Sequence, residues 1–373
     1  MNRKHILTAA ATISLNLLLF SGCSTTNDIT AENNENILLN TQYDINMSSK
    51  EANEKGIIVN KKKEQNILLI SGGGGYGAYG AGILNAWHEE GMPNFDVVTG
   101  ISTGALLATS AFINDNKSML AAKNAYTKTS KRDLISIKWF LFWRNSLSTA
   151  EPLENIIKKS ITYDMIDKVG VEYKKGRRLF VATTRLNENK LTIWDMGKIA
   201  NLSKDIRYDM YYKILLASSS VPGFYPPVDF NYYNTQQKGY HITHCDSTKR
   251  SMFIAPWMIS HDKNLIKTKV FAILNNQVLN LPKRDVRDNI VPLFATFVYD
   301  LINARAYFSL VETREITKKA NIRNEYLYCT IPGAINLNGE KMDFKTRDMN
   351  VLYQTGYQEI KTNKAWKSNI PLN

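Results

Sequence analysis

Asn66-Ile67-Leu68-Leu69-Ile70-Ser71-Gly72-Gly73-Gly74-Gly75-Tyr76-Gly77 is an aliphatic run that ends in a glycine-rich turn. The run has the length and residue types of a buried strand. Beyond the glycines, Ala78, Ala81, Ile83, Leu84, Ala86 and Trp87 fit a helix that stops near Gly91-Met92-Pro93. The glycines therefore sit at a helix N-terminus, where unpaired N–H groups and the positive end of the dipole favour an anion. Lack of Cβ lets a ligand oxygen come close to that backbone.

Gly72-x-Gly74-x-x-Gly77 also fits the dinucleotide fingerprint, which would place a pyrophosphate on the same N–H groups. The next segment decides between the two. Phe95-Asp96-Val97-Val98-Thr99 reads as a second strand and runs into Gly100-Ile101-Ser102-Thr103-Gly104, followed by Ala105-Leu106-Leu107-Ala108. Strand, tight turn and helix are the setting of a nucleophile elbow, with Gly100 and Gly104 letting the strand and helix pass closely around Ser102. A dinucleotide site needs an acid at the end of the second strand, whereas Asp96 lies near its beginning. The reading is a serine hydrolase with no nucleotide cofactor. The bland alternative is a pair of glycine turns that only pack helices on a sheet.

Working back to the start, Met1-Asn2-Arg3-Lys4-His5 is a short basic segment, and Ile6 to Phe20 is an apolar run short for a membrane span. With Phe20-Ser21-Gly22-Cys23 it resembles a lipoprotein signal peptide (1–22) that ends at a bacterial lipobox, with Cys23 the acylated residue. Phe20 stands where leucine is usual. Thr8, Thr12, Ser14 and Asn16 argue against a transmembrane anchor. Acyl chains on Cys23 would hold the protein to a membrane on the exported side. Ser24 resembles the pattern that sorts to an outer membrane in a host with two. Residues 23–65 are polar and read as a flexible tether, closed by Lys61-Lys62-Lys63. Residues 66–373 are long enough for one large α/β domain.

The full chain carries a formal charge of +13, which suits an anionic membrane surface; no basic-aromatic module for nucleic acid is visible. His5, His88, His241, His244 and His261 form no metal-ligand spacing, so no metal is expected. After Cys23, only Cys245 and Cys329 remain, and whether they pair stays open. The aromatic stretch Ile135 to Trp143 reads as core or as an interfacial element.

Downstream, helices are expected over Glu151 to Lys159, Met165 to Lys175, Asp209 to Leu216, Ile290 to Lys318 and Met349 to Glu359. Strands are expected over Arg178 to Thr184, Lys190 to Trp194 and Thr268 to Leu274. Ala217 to Val228, with its prolines and glycine, reads as a loop. Alternating strands and helices argue for a mainly parallel sheet covered on both faces.

Four ordered blocks, Gly72 to Gly77, Gly100 to Gly104, Ala217 to Val228 and His244-Cys245-Asp246, carry a resemblance to the patatin-like phospholipases, specifically bacterial lipoprotein members. Gly176-Arg177-Arg178-Leu179 and Trp194-Asp195-Met196-Gly197 support it. The resemblance implies a three-layer α/β/α sandwich and a Ser–Asp dyad without histidine. It makes Ser102 the nucleophile, Asp246 the base, and the backbone N–H groups of Gly73, Gly74 and Gly75 the oxyanion hole. The implied substrate is a phospholipid or lysophospholipid, with no cofactor. A Ser-His-Asp arrangement fits less well, since His261 is the one histidine beyond Asp246.

The chain departs from the family pattern twice. Tyr76 replaces a basic residue, and Asp246-Ser247-Thr248 replaces Asp-Gly-Gly or Asp-Gly-Ala. If that loop needs positive φ after the aspartate, Ser247 is strained. The rival to an enzyme is therefore a lipid-binding pseudoenzyme that keeps the pocket and has lost turnover.

Overall fold

The computed structural model describes residues 41–44, 51, 64–129, 149–233, 239–247, 252–254, 267–279, 290–337 and 344–371. The signal segment, Cys23, Lys61-Lys62-Lys63, the aromatic stretch 135–143, Thr248 and His261 lie outside the described residues.

The sheet is built around β2 (Glu64–Ile70), with β3 (Val97–Ile101) on one side and β8 (Lys267–Leu274) on the other. β4 (Arg178–Arg185) and β9 (Glu325–Thr330) extend it outward. All four contacts in the order β9-β8-β2-β3-β4 are parallel. β5 (Lys190–Asp195) continues antiparallel from β4, and β1 (Gln42–Asp44) pairs antiparallel with β5. β1 corrects the tether reading in part, because Tyr43 is buried there although its neighbours in sequence are polar.

A second correction concerns the hairpin β6 (Val228–Tyr233) and β7 (Gly239–Cys245), to which the sequence reading assigns no strand. The end of β7 lies antiparallel on β4, with Cys245 opposite Thr184. The hairpin delivers Asp246 to the sheet end reached by the glycine loop and the elbow.

Side chains alternate along the strands between two cores. Leu68, Ile70, Leu179 and Val181 face one, and Ile67, Leu69, Phe180 and Ala182 the other. The first core holds α1 (Gly77–Glu89), α2 (Thr103–Ile113), α3 (Asn116–Thr127), α4 (Glu151–Ser160), α5 (Tyr163–Lys174), α6 (Met196–Ala200), α7 (Lys204–Ser219) and α9 (Thr346–Lys361). The second is closed by α8 (Ile290–Ala320) through Ala306, Leu310 and Ala320. The sheet is therefore a middle layer between helices, as expected. α7 runs to Ser219, so Ala217-Ser218-Ser219, read as loop, forms its last turn.

Two features fix α1, which carries the glycine loop at its N-terminus. A Cβ on Gly82 would lie 2.0 Å from the Tyr353 carbonyl oxygen, and one on Gly356 2.3 Å from that of Tyr79, so α1 and α9 touch backbone to backbone. Tyr79 also donates to Glu359 across that contact at 2.5 Å. Asp96 binds the start of β2, accepting from the Asn66 N–H at 2.9 Å and donating its own N–H to the Asn66 carbonyl at 2.9 Å. It lies at the end of the sheet away from the glycine loop, where it serves the strand.

Candidate active site

β3 ends at Ile101 and α2 begins at Thr103, so a single residue, Ser102, makes the turn. Its backbone sits at φ 55, ψ −128, a conformation that costs an L-residue on the order of 1–3 kcal/mol. The flanking glycines explain how so tight a turn fits. A Cβ on Gly100 would lie 2.2 Å from the Gly104 carbonyl oxygen, and one on Gly104 2.4 Å from that of Ile70. Ser102 is the N-cap residue of α2, so its side chain stands at the positive end of that helix. Its own N–H is engaged, donating to Ser218 Oγ at 3.0 Å.

The glycine loop leaves β2 at Ser71, forms one 3-10 turn over Gly74–Tyr76, and enters α1. Tyr76 N–H donates to the Gly73 carbonyl, and the Gly77 N–H to those of Gly74 and Gly75. Among the described residues no acceptor pairs with the N–H of Gly73, Gly74 or Gly75, the three expected oxyanion donors. Gly73 and Gly74 are partly exposed, whereas Gly75 is buried at the base of the turn. Gly74 has φ 55, which favours glycine. Gly77 must be small, since a Cβ there would lie 2.5 Å from Thr103 Oγ1, and this contact joins the loop to the elbow.

Asn275, which the sequence reading misses, fixes the loop. Its N–H donates to Ser71 Oγ at 2.8 Å, its side-chain NH₂ to the Ser71 carbonyl at 2.9 Å, and its Oδ1 accepts from the Gly80 N–H at 3.0 Å. One buried amide thus holds both the strand end and the first turn of α1. Gly73→Ala is expected to break this arrangement, because the added Cβ would lie 2.3 Å from the Asn275 carbonyl oxygen. The loop would move off its donor positions, lowering kcat by roughly 10²-fold, as loss of one oxyanion donor does. Steady-state kinetics on an ester substrate would read this.

Asp246 follows β7 and is 3 % exposed. Its N–H donates to the Ser220 carbonyl at 3.0 Å. Two hydroxyls converge on one carbonyl beside it, since Ser218 Oγ donates to the Ala182 oxygen at 2.8 Å and Ser247 Oγ donates to the same atom at 3.3 Å. The turn Ser218 to Ser220 therefore binds the Ser102 backbone on one side and the Asp246 backbone on the other. Ser218 is a second residue the sequence reading misses, because its partners are far away in the chain. The condition for strain at Ser247, a positive φ after the aspartate, is not met. Ser102, Asn114, Asn189, Phe344 and Asn363 are the positive-φ non-glycines among the described residues, and Ser247 is not one of them.

Residues 68–247, from within β2 through Ser247, match the family model for patatin-like phospholipase. The chain carries a patatin-like phospholipase domain. That domain assigns it to the hydrolases of acyl esters in lipids. The match spans the glycine loop, Ser102, the Ser218 to Ser220 turn and Asp246, while Asn275 lies beyond it. Among solved structures, VipD from Legionella pneumophila aligns at 12 % identity and TM-score 0.30, over 79 % of this chain and 67 % of that one. A chain of the full-length SpcU–ExoU complex from the type III secretion system of Pseudomonas aeruginosa aligns at 13 % identity and TM-score 0.31, over 68 % of this chain and 53 % of that one. No curated protein matches the chain.

The patatin-like domain opens at Ser102 into a narrow slot of about 50 Å³. Gly74 and Ser102 stand together in its wall, and Leu106, Leu153, Ile156, Tyr225, Phe344 and Met349 supply much of the rest. That lining has the polarity of an acyl chain, though the slot would have to widen to admit one, and the loop and the serine stand in its wall.

His244, two residues before Asp246, is fully buried between Trp194 and Phe230, with Nδ1 2.8 Å from Thr183 Oγ1. Burial pushes its pKa down to about 3, so it is neutral at pH 7. This is a core histidine. Because its folded pKa lies below the unfolded value of about 6.5, the unfolded chain binds the extra proton between those two values. The contribution of His244 to stability is then fully present above about pH 6.5 and declines as pH falls toward 3. His244→Gln is expected to flatten the loss of stability between pH 6.5 and 4, measured by urea unfolding at fixed pH steps. Cys245 and Cys329 are both buried free thiols, which closes the question of their pairing.

Proposed function

We propose that the domain hydrolyses acyl esters of phospholipids or lysophospholipids through a Ser102–Asp246 dyad. The observation that carries this reading is the Ser218–Ser220 turn, which ties a strained, pocket-facing Ser102 and a buried Asp246 to one rigid segment. Asp246 takes the Ser102 Oγ proton as Oγ attacks the ester carbonyl. The oxyanion that forms is met by the N–H groups of Gly73 and Gly74, with Gly75 completing the turn, and such a donor contributes about 3 kcal/mol. The proton passes to the departing alcohol, leaving an acyl-serine. Water, deprotonated by Asp246, attacks the acyl carbonyl; the bond to Ser102 Oγ breaks, Oγ takes the proton back from Asp246, and the fatty acid departs. An aspartate is a weak base toward a hydroxyl, so placement within reach matters more than basicity.

Acylation of Cys23 would put this site at a membrane on the exported side, the outer one where two exist. The supporting features are the apolar run ending in Phe20-Ser21-Gly22-Cys23 and the polar segment that follows it. Cys23→Ser is expected to move the protein from the membrane fraction to the soluble one after a salt wash. Retention in washed membranes would overturn the anchor.

The hydrolase itself is tested by incubating the purified protein with nitrophenyl esters of increasing chain length, a lysophospholipid and a fluorophosphonate probe. Turnover with covalent labelling of Ser102 is expected. A folded protein that binds lipid yet neither turns over nor labels would favour the pseudoenzyme.

A further inference from the structure

Three serines stand in a row where α7 ends, and their hydroxyls have different fates. Ser218 Oγ donates to the Ala182 carbonyl at 2.8 Å and accepts from the Ser102 N–H at 3.0 Å. Ser220 Oγ donates to the Leu216 carbonyl at 2.8 Å, one turn back in α7. Ser219 Oγ has no hydrogen-bond partner among the described residues, although it is closed to water and its residue is only 8 % exposed. A buried hydroxyl is ordinarily paired, because an unpaired one has given up its bonds to water for nothing. An orphan implies a partner that the folded chain alone does not supply. Ser219 lines the slot together with Ser102 and Gly74. Thr103, in the same wall, already shares its hydroxyl with that of Tyr126.

Ser219 also sits between the two members of the dyad. Ser218 on one side binds the Ser102 backbone, and the Ser220 carbonyl on the other accepts from the Asp246 N–H at 3.0 Å. The slot is otherwise largely apolar, so the polar group that a lipid ester brings to Ser219 is the ester itself. Its carbonyl oxygen is claimed by the glycine-loop N–H groups, which leaves the bridging oxygen. We propose that the Ser219 hydroxyl donates a hydrogen bond to that bridging oxygen, the atom that departs with the leaving alcohol. This rests on the hydrolase reading for the placement of the ester at Ser102. When the bond between the acyl carbon and the bridging oxygen breaks, the oxygen keeps the electron pair. Ser219 stabilises the charge as it builds, and the proton that Asp246 took from Ser102 Oγ neutralises it. Ser219 keeps its own proton throughout, so no further acid or base takes part.

The experiment compares the full wild-type chain with Ser219→Ala on two esters of one short acyl chain, the nitrophenyl ester and the glycerol monoester. Both pass through the same acyl-serine, and kcat/KM reads the acylation half alone. A nitrophenolate departs unaided, whereas an alkoxide needs its charge stabilised. Ser219→Ala is therefore expected to lower kcat/KM roughly tenfold for the glycerol ester and by about twofold at most for the nitrophenyl ester. The melting temperature holds or rises, because the orphan hydroxyl is gone. Ser220→Ala is the contrast, since its hydroxyl is bonded within α7 and its loss lowers the melting temperature and affects both esters alike. Equal loss on the two esters in Ser219→Ala, no loss on either, or a fall in melting temperature would each overturn the assignment. The same leaving-group signature in Ser220→Ala would also overturn it, because the effect would then belong to the turn and not to one hydroxyl. So would a wild-type chain that cleaves the nitrophenyl ester alone, whose alcohol would have no help to lose. A wild-type chain that cleaves neither ester would overturn the hydrolase reading and this assignment together, whereas any of the earlier results with an active wild type would overturn this assignment alone.

Discussion

Ser102→Ala is expected to lower ester hydrolysis by roughly 10⁴-fold or more and to abolish fluorophosphonate labelling while leaving the melting temperature nearly unchanged. Alanine keeps the Cβ that the elbow already accommodates, so only Oγ is lost. Ser102→Gly should be equally inactive but more stable, by about 1 kcal/mol, because glycine adopts φ 55 without the penalty serine bears. The pair separates chemistry from strain, since both remove the nucleophile and only one relaxes the turn. Labelling that persists in either variant would show a different nucleophile. A glycine variant no more stable than the alanine one would show that the strained turn costs the fold little.

The elbow and the glycine loop were legible in the sequence because their demands are local. Gly100 and Gly104 must be small to pass β3 and α2 around one residue, and the short Ile67 to Ile70 run, cut off by a glycine turn, reads as a buried strand. The helix and strand spans around them follow the same local logic. What remained hidden depends on distant partners. Asn275 grips the loop through Ser71 and Gly80, and Ser218 grips the elbow through Ser102 and Ala182. No short window of sequence reveals such bonds. The hairpin that presents Asp246 was missed because its two strands are polar and aromatic and gain their pairing from each other and from β4. Gln42–Asp44 was hidden for the same reason, since three residues form a strand only because β5 offers an edge.

Asp246→Asn tests the other half of the proposed dyad, with kcat expected to fall roughly 10³-fold while KM changes little. The substitution is nearly isosteric, and the backbone N–H that holds this position to the Ser220 carbonyl is unaffected. The loss therefore falls on proton transfer in the transition state and spares ground-state binding. A variant with wild-type kcat would sink the dyad. The neighbouring residue bears on whether the departure from glycine after the aspartate has weakened the enzyme. Ser247 has no positive φ to relieve, and its hydroxyl donates to the Ala182 carbonyl that also anchors Ser218. Ser247→Gly is thus expected to lower stability by about 1 kcal/mol, through a lost hydrogen bond and a more flexible unfolded chain, and to lower kcat a few-fold by loosening Asp246. If kcat rose instead, the native loop would be holding the base away from the serine, and the serine after Asp246 would mark a site drifting from catalysis. With Ser247 unstrained and bonded to the segment that positions both dyad members, the expectation is the opposite. The serine does by hydrogen bonding what a glycine would leave to loop conformation.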